Sequence, residues 1–384
     1  MKYLIFILLS VSLSAAIINV PVDQGTIQLG INAANVGDTV HVAKGTYLEV
    51  IDLGSLSCVL ESDYADTARW GIVDSTIIDG STNAGWTVVS VGTGQDTTCI
   101  INGFTIQGGT GSISNGGMAI VTCSPKVINC VITDNDCLDE GGGLRLYDSD
   151  GIFRNIIIHH NTAALGEDTP EWGGGLYVSD GSLATFENVL IYKNTVSTTD
   201  GGGGIAISSA SPSFINCTIV QNKAVGQGEG ILLVGTSSPS FVNCIIAFNE
   251  AISDPSSYHQ IDDQGDGSPT FTYTNVYDPD GKYYNGGSLG TGCISTNPAF
   301  SDSANADYTL TNGSGSIGVG SNAAVNETTD LAGDTRIVNT VDMGCYETDQ
   351  DDPSGWTGII GGVTNPSVVG GVDVKNIFSV GGVE

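Results

Sequence analysis

The feature that most narrows what this chain can become is a spacing. An Asn, five residues and a second Asn are followed by a run of glycines, and the whole unit recurs. The Asn pairs are Asn129/Asn135, Asn155/Asn161, Asn188/Asn194, Asn216/Asn222 and Asn243/Asn249, and the glycine runs align at Gly141, Gly173, Gly202 and Gly228. Successive first asparagines lie 26, 33, 28 and 27 residues apart. A period of that size belongs to solenoids, in which each repeat is one coil stacked on the next.

Apolar residues hold fixed places in the unit. Val127, Phe153, Phe186, Phe214 and Phe241 stand two residues before the first Asn. Ile132, Ile158, Ile191, Ile219 and Ile246 stand three before the second. Leu144/Leu146, Leu176/Val178, Ile205/Ile207 and Ile231/Leu233 follow the glycines. These are short period-two strands between turns, and no helical periodicity lasts long enough to compete. Three such strands per coil, stacked in register ~4.8 Å apart, predict an all-β fold: a right-handed parallel β-helix. Phe then stacks on Phe inside. Asn129, Asn155, Asn188, Asn216 and Asn243 form a structural ladder whose amides bond along the column. A nucleotide-binding glycine loop is excluded, because the run repeats four times and no Lys-Ser/Thr follows it.

Variation is confined to one place in the coil. From a glycine run to the next Asn the intervals are 14, 15, 14 and 15 residues, whereas from the second Asn to the glycine run they are 6, 12, 8 and 6. One loop per coil therefore absorbs the insertions and lines one edge of the solenoid. Such an edge is often the binding face of a repeat protein.

The 384 residues carry 11 Lys+Arg against 42 Asp+Glu, a net charge of −31. That charge makes nucleic acid and anionic membranes poor partners. It suits divalent cations, calcium above all, and it also keeps an exported protein soluble. Residues 1–16 read as a signal peptide: Lys2, an apolar core, then Ser14-Ala15-Ala16. No later run is long enough to cross a bilayer as a helix, so the mature chain is expected to be secreted or held at the cell surface. The nine cysteines are an odd number. Cys130, Cys217 and Cys244 each follow a first Asn, which suggests small core side chains rather than a disulfide framework. Export still permits a bridge between Cys217 and Cys244.

The pattern Ile-x-x-Asn followed by Gly-Gly-apolar-x-apolar resembles the repeats of pectate-lyase-like parallel β-helix proteins and of polymorphic outer-membrane proteins. Near the start, Thr26-Ile27-Gln28, Gly37-Asp38-Thr39-Val40 and Lys44-Gly45-Thr46-Tyr47 resemble the N-terminal cap and first coil of that superfamily. The resemblance implies a capping helix with Ile27, Ile31 and Ala34 inward. At the end, Asn297-Pro298-Ala299-Phe300, Asp307-Tyr308-Thr309-Leu310, Asp330-Leu331-Ala332-Gly333-Asp334-Thr335-Arg336 and Asp342-Met343-Gly344-Cys345-Tyr346-Glu347 are similar to the choice-of-anchor Q module of secreted bacterial proteins. Gly315, Gly318 and Cys345 depart from it. The division expected is a leader over 1–16, a β-helix over 17–296, a closing module over 297–347, and a linker and tail over 348–384. In the tail Gly-Gly-Val recurs at Gly361, Gly370 and Gly381.

Three groups of residues are candidates for chemistry. Asp139, Glu171 and Asp200 each stand two residues before an aligned glycine, on three successive coils. Stacked carboxylates there are candidates to hold calcium, with solvated turn acids as the alternative. Beside them Arg145, Tyr147 and Tyr177 alternate with core residues and so point outward, and Trp172 adjoins them. Exposed aromatics beside an Arg suit sugar rings. Asp134, His160 and Lys193 stack one residue before the second Asn, beside His159 and Tyr192, as acid, imidazole and base. Arg154 and Glu187 stack as an ordinary surface ion pair.

Calcium-dependent pectate lyases need acids for calcium and an Arg or Lys base, which would cast Arg145 as base. No lyase signature surrounds it, and the hydrolase motifs of polygalacturonases are lacking. The reading expected is an extracellular protein that contacts polysaccharide or another surface through its loop edge. A calcium-dependent polysaccharide lyase and a structural adhesin-type module without a small ligand are the alternatives.

Overall fold

The computed structural model describes residues 14–67, 73–111, 116–164, 172–197, 201–252 and 259–348, together with four two-residue strands between 359 and 373. Its body is a right-handed parallel β-helix. Strands stack in three parallel sheets of 16, nine and six members. One coil shows the plan. Leu144–Tyr147 belongs to the nine-stranded sheet, Ile152–His159 to the largest, and Thr162–Ala163 to the smallest. Each residue pairs with its equivalent one coil on, as Phe153 with Phe186 and Leu144 with Leu176.

The register turns sequence columns into spatial ones. Phe153, Phe186, Phe214, Phe241 and Phe271 stack face to face, with centroids 4.7 to 5.1 Å apart. Offset aromatic stacking at this spacing adds to the burial of each ring. Cys130, Cys217 and Cys244 are fully buried beside this column, and all nine cysteines are free thiols.

The two Asn columns differ in their work. Asn129, Asn155, Asn188, Asn216 and Asn243 all have positive φ, near 53°. They bend the largest sheet within itself, in the left-handed region that Asn tolerates best after Gly. Asn188 donates to Asn155 at 3.2 Å and Asn155 to Asn129 at 3.0 Å, toward the N-terminus, but the expected ladder stops there: the Asn188 and Asn216 Oδ1 atoms have no partner, and Asn243 donates instead to the Ser321 carbonyl at 3.0 Å. The second column runs the other way. Asn135 donates to Asn161 at 3.0 Å, Asn161 to Asn194 at 3.0 Å, and Asn194 to Asn222 at 2.9 Å. Gln260 ends it, accepting from Asn249 at 2.8 Å and donating onward to Asp278 at 2.9 Å.

These columns explain the glycines. A Cβ at Gly143, Gly175 or Gly204 would lie 2.8 Å from the Asn amide nitrogen beside it, and one at Gly142 would lie 2.5 Å from the Gly174 carbonyl. The runs are therefore contact points between coils. Only their first members, Gly141, Gly173, Gly202 and Gly228, need the positive φ as well.

At the N-terminal end, helix Ile27–Ala33 packs Ile27 and Ile31 into the core with Ala34 partly buried against it. The Thr26 hydroxyl accepts from the Leu29 N–H, and the Glu49 carboxylate accepts from Ile27 and Gln28, so the first turn is satisfied. At the other end, residues 297–348 fold back along the outside of the largest sheet. Tyr308, Leu310, Leu331, Met343 and Cys345 join Leu190, Tyr192, Val220, Ile245 and Ala247 in a second hydrophobic core. Arg336 is fully buried at the centre of this segment, donating to the Gly344 and Asp342 carbonyls at 2.6 and 3.2 Å, with the Glu347 carboxylate 3.9 Å away.

Candidate functional site

The glycine edge of the nine-stranded sheet places several of the candidate residues together. Arg145 pairs in register with Tyr177 and Tyr147 with Ser179, on the side of the strands facing away from the main core. The Arg145 Nε lies 3.3 Å from a Glu140 carboxylate oxygen, and its guanidinium sits 5.7 Å from the Tyr147 ring centroid. Trp172 bridges to Glu140 across the coil gap and meets the Tyr177 ring at 6.0 Å. Burial raises the Glu140 carboxyl above the ordinary range, while Arg145 and a hydrogen bond from Tyr177 pull it back down. Burial also raises the Tyr177 phenol, with the Glu140 charge adding to it.

One expectation needs correcting. Tyr177 takes the outward side, but it is only 4 % exposed, packed with Ala206, Leu232 and Trp172. Alternation fixes the side of a strand, not what covers it. The open part of this face is the half-buried trio Arg145, Tyr147 and Trp172. Of the calcium candidates, Asp139 is half-buried next to this trio, and Glu171 and Asp200 lie outside the described residues. Among the described residues no group of three or more His, Cys, Asp or Glu is placed to hold a metal ion.

The histidine patch is assembled differently from a catalytic pair. The His159 and His160 Nδ1 atoms are 2.6 Å apart, and Thr133 Oγ1 is 3.0 Å from His159 Nδ1. His159 stacks on Tyr192 at 4.8 Å. Burial, with His160 next, pushes the His159 imidazole down to about 4, so it is neutral at neutral pH. Asp134, His160 and Lys193 all have positive φ. They are corner residues of successive coils. The Arg154–Glu187 pair is not the surface contact expected: Glu187 is 3 % exposed, and the C-terminal segment adds Glu327, 2.9 Å from Arg154, and Asn326, 2.6 Å from Glu187.

A group that sequence reasoning passed over lies further along the same edge. Glu229 stands where Gly142, Gly174 and Gly203 stand in earlier coils. It is 3 % exposed, and its Oε2 has no hydrogen-bond partner. Burial, then Asp278 and Asp262, push its carboxyl up to about 8, with a hydrogen bond from its own backbone and then Lys282 opposing. The signal was visible as Gly-Glu-Gly in place of Gly-Gly-Gly.

Comparison with known proteins bears on the fold. A family model described as right handed beta helix region matches residues 64–250. The crystal structure of pectate lyase Pel9A superimposes with a TM-score of 0.52, covering 88% of this chain and 98% of that one at 11% identity. No curated protein matches the sequence. Both matches agree with the coils described above, and at this identity the likeness is one of fold alone.

Proposed function

We propose that this chain is an exported β-helix that binds polysaccharide at the cell surface or outside it, through Arg145, Tyr147 and Trp172 on the glycine edge. The carrying observation is the Arg145–Tyr147 pair, a guanidinium 5.7 Å from a ring and steadied by Glu140 at 3.3 Å. A planar cation beside a half-open aromatic offers stacking and several N–H donors to sugar hydroxyls. Tyr177 supports the trio from beneath. In this reading residues 1–16 direct export, helix Ile27–Ala33 caps a solenoid of three strands per coil, and 297–347 acts as the anchor-type closing module. Calcium belongs to the reading through Asp139, Glu171 and Asp200. Binding is preferred to lyase chemistry because Arg145 is already ion-paired with Glu140 and no lyase signature surrounds it.

The test is affinity electrophoresis against neutral and acidic polysaccharides, with calcium and with chelator. Binding should weaken about tenfold in Tyr147→Ala and in Trp172→Ala, the loss of one stacking contact. Release of unsaturated products, abolished by Arg145→Ala, would instead make the chain a lyase.

A further inference from the structure

The glycine column Gly142, Gly174, Gly203 exists because neighbouring coils leave no space for a side chain. A Cβ at Gly203 would lie 2.4 Å from the Lys223 carbonyl and 2.6 Å from the Glu229 carbonyl. At the next level the column carries Glu229, and there the structure contains a cavity of about 270 Å³. Glu229, Phe248, Asn249, Asp278 and Lys282 are among its walls. The cavity lies where the second Asn ladder ends, and the ladder's last member fixes one wall. Gln260 donates to Asp278 Oδ2 at 2.9 Å, and the Asp280 N–H donates to Asp278 Oδ1 at 2.7 Å.

A buried carboxyl oxygen without a partner is costly unless something binds it. The walls constrain what that can be. Glu250 is paired with Lys223 at 3.1 Å and Glu229 keeps its proton, which leaves Asp278 and Asp280 against Lys282, a net negative lining that disfavours an anionic ligand. A metal ion would need Glu229 ionised, and burial holds its proton on. Both Asp278 oxygens already accept N–H bonds. A neutral ligand rich in hydroxyls meets neither objection. Its hydroxyls can accept from the Glu229 carboxyl or donate to it, and Phe248 gives an apolar surface for a ring face. The volume falls just below the roughly 300 Å³ at which pockets for drug-sized ligands begin, so it suits one ring and not a stretch of chain.

We propose that this cavity is a binding site for a single uncharged sugar residue, held by the Glu229 carboxyl and Lys282 with Phe248 as its apolar wall. The site lies three coils from Arg145 and does not depend on the strand-face reading.

The decisive variant is Glu229→Gly, because it restores the residue that three other coils carry at this position and so keeps the fold. Full-length protein would be titrated by ligand-observed NMR with the methyl glycosides of glucose, galactose and mannose, with galacturonic acid, and with calcium chloride. At least one neutral glycoside should bind. Glu229→Gly should weaken it by about tenfold or more, as expected for a lost buried hydrogen bond, while Glu229→Gln retains it and the melting temperature of both variants stays at or above that of the parent. Tyr147→Ala and Trp172→Ala should leave it unchanged, which separates this site from the one on the strand face. The proposal is overturned if no neutral glycoside binds, if Glu229→Gly binds as well as the parent, or if galacturonic acid or calcium is the ligand that Glu229→Gly loses.

Discussion

Asn194 shows how much one amide does in this fold. Its oxygen accepts from the Asn161 N–H and Nδ2, and its Nδ2 donates to Asn222 and to the Ile158 carbonyl, all between 2.9 and 3.1 Å and all buried. Asn194→Ala removes every one of these and strands the Asn161 N–H, so it should destabilise by roughly 2–4 kcal/mol, read as a lowered denaturation midpoint. Phe214→Ala opens a cavity between two stacked rings and should cost about 3–5 kcal/mol. Glu229 carries a pH signature of opposite origin. Its folded-state pKa is raised to about 8 from the ordinary 4.5 of a glutamate, so between those values the folded state binds the extra proton. Stability from this group is complete below pH ~4.5 and falls as pH rises toward 8. The melting temperature of the parent should therefore drop across that window relative to Glu229→Gln, and parallel curves for the two proteins would contradict the assignment.

Strands and columns were legible in the sequence because each contact partner is one period away. Phe153 meets Phe186 and Asn161 meets Asn194 at the spacing the repeat announces, so alternation and period together identify the core side and the ladders. What the period could not supply is whatever reaches a strand from outside it. Tyr177 has the outward side that alternation assigns, yet it is covered by Trp172 and its neighbours. Glu187 lies under Asn326, 139 residues away, and no repeat encodes that distance. The motifs of the C-terminal segment were readable as motifs, and their reason is Arg336. Removing it as Arg336→Ala leaves the buried Asp330, Asp342 and Glu347 carboxyls without their cation, which should loosen the segment by roughly 3–5 kcal/mol. Limited proteolysis should then cut within 297–348 while the coils resist. Cleavage no faster than in the parent would remove Arg336 from that role.

Taken as one body, the molecule has two cores that share a sheet. The inner face of the largest sheet closes on the Phe and Ile columns, and its outer face closes on residues 297–348. Loss of that segment would uncover Leu190, Tyr192, Val220, Ile245 and Ala247 as one contiguous apolar patch, the kind of surface that drives association. A chain ending at 296 should bind a hydrophobic dye and elute as an oligomer, where the full chain does neither. The two Asn ladders carry a further consequence for the rod. Amide groups aligned in one direction along a column add their dipoles, as peptide units do in an α-helix. Here the first column points its N–H groups toward the N-terminus only between Asn188 and Asn129, and the second points toward the C-terminus throughout. The moments oppose without cancelling, since only the second ladder is unbroken from Asn135 to Gln260, and its donor end is met there by the Asp278 carboxylate.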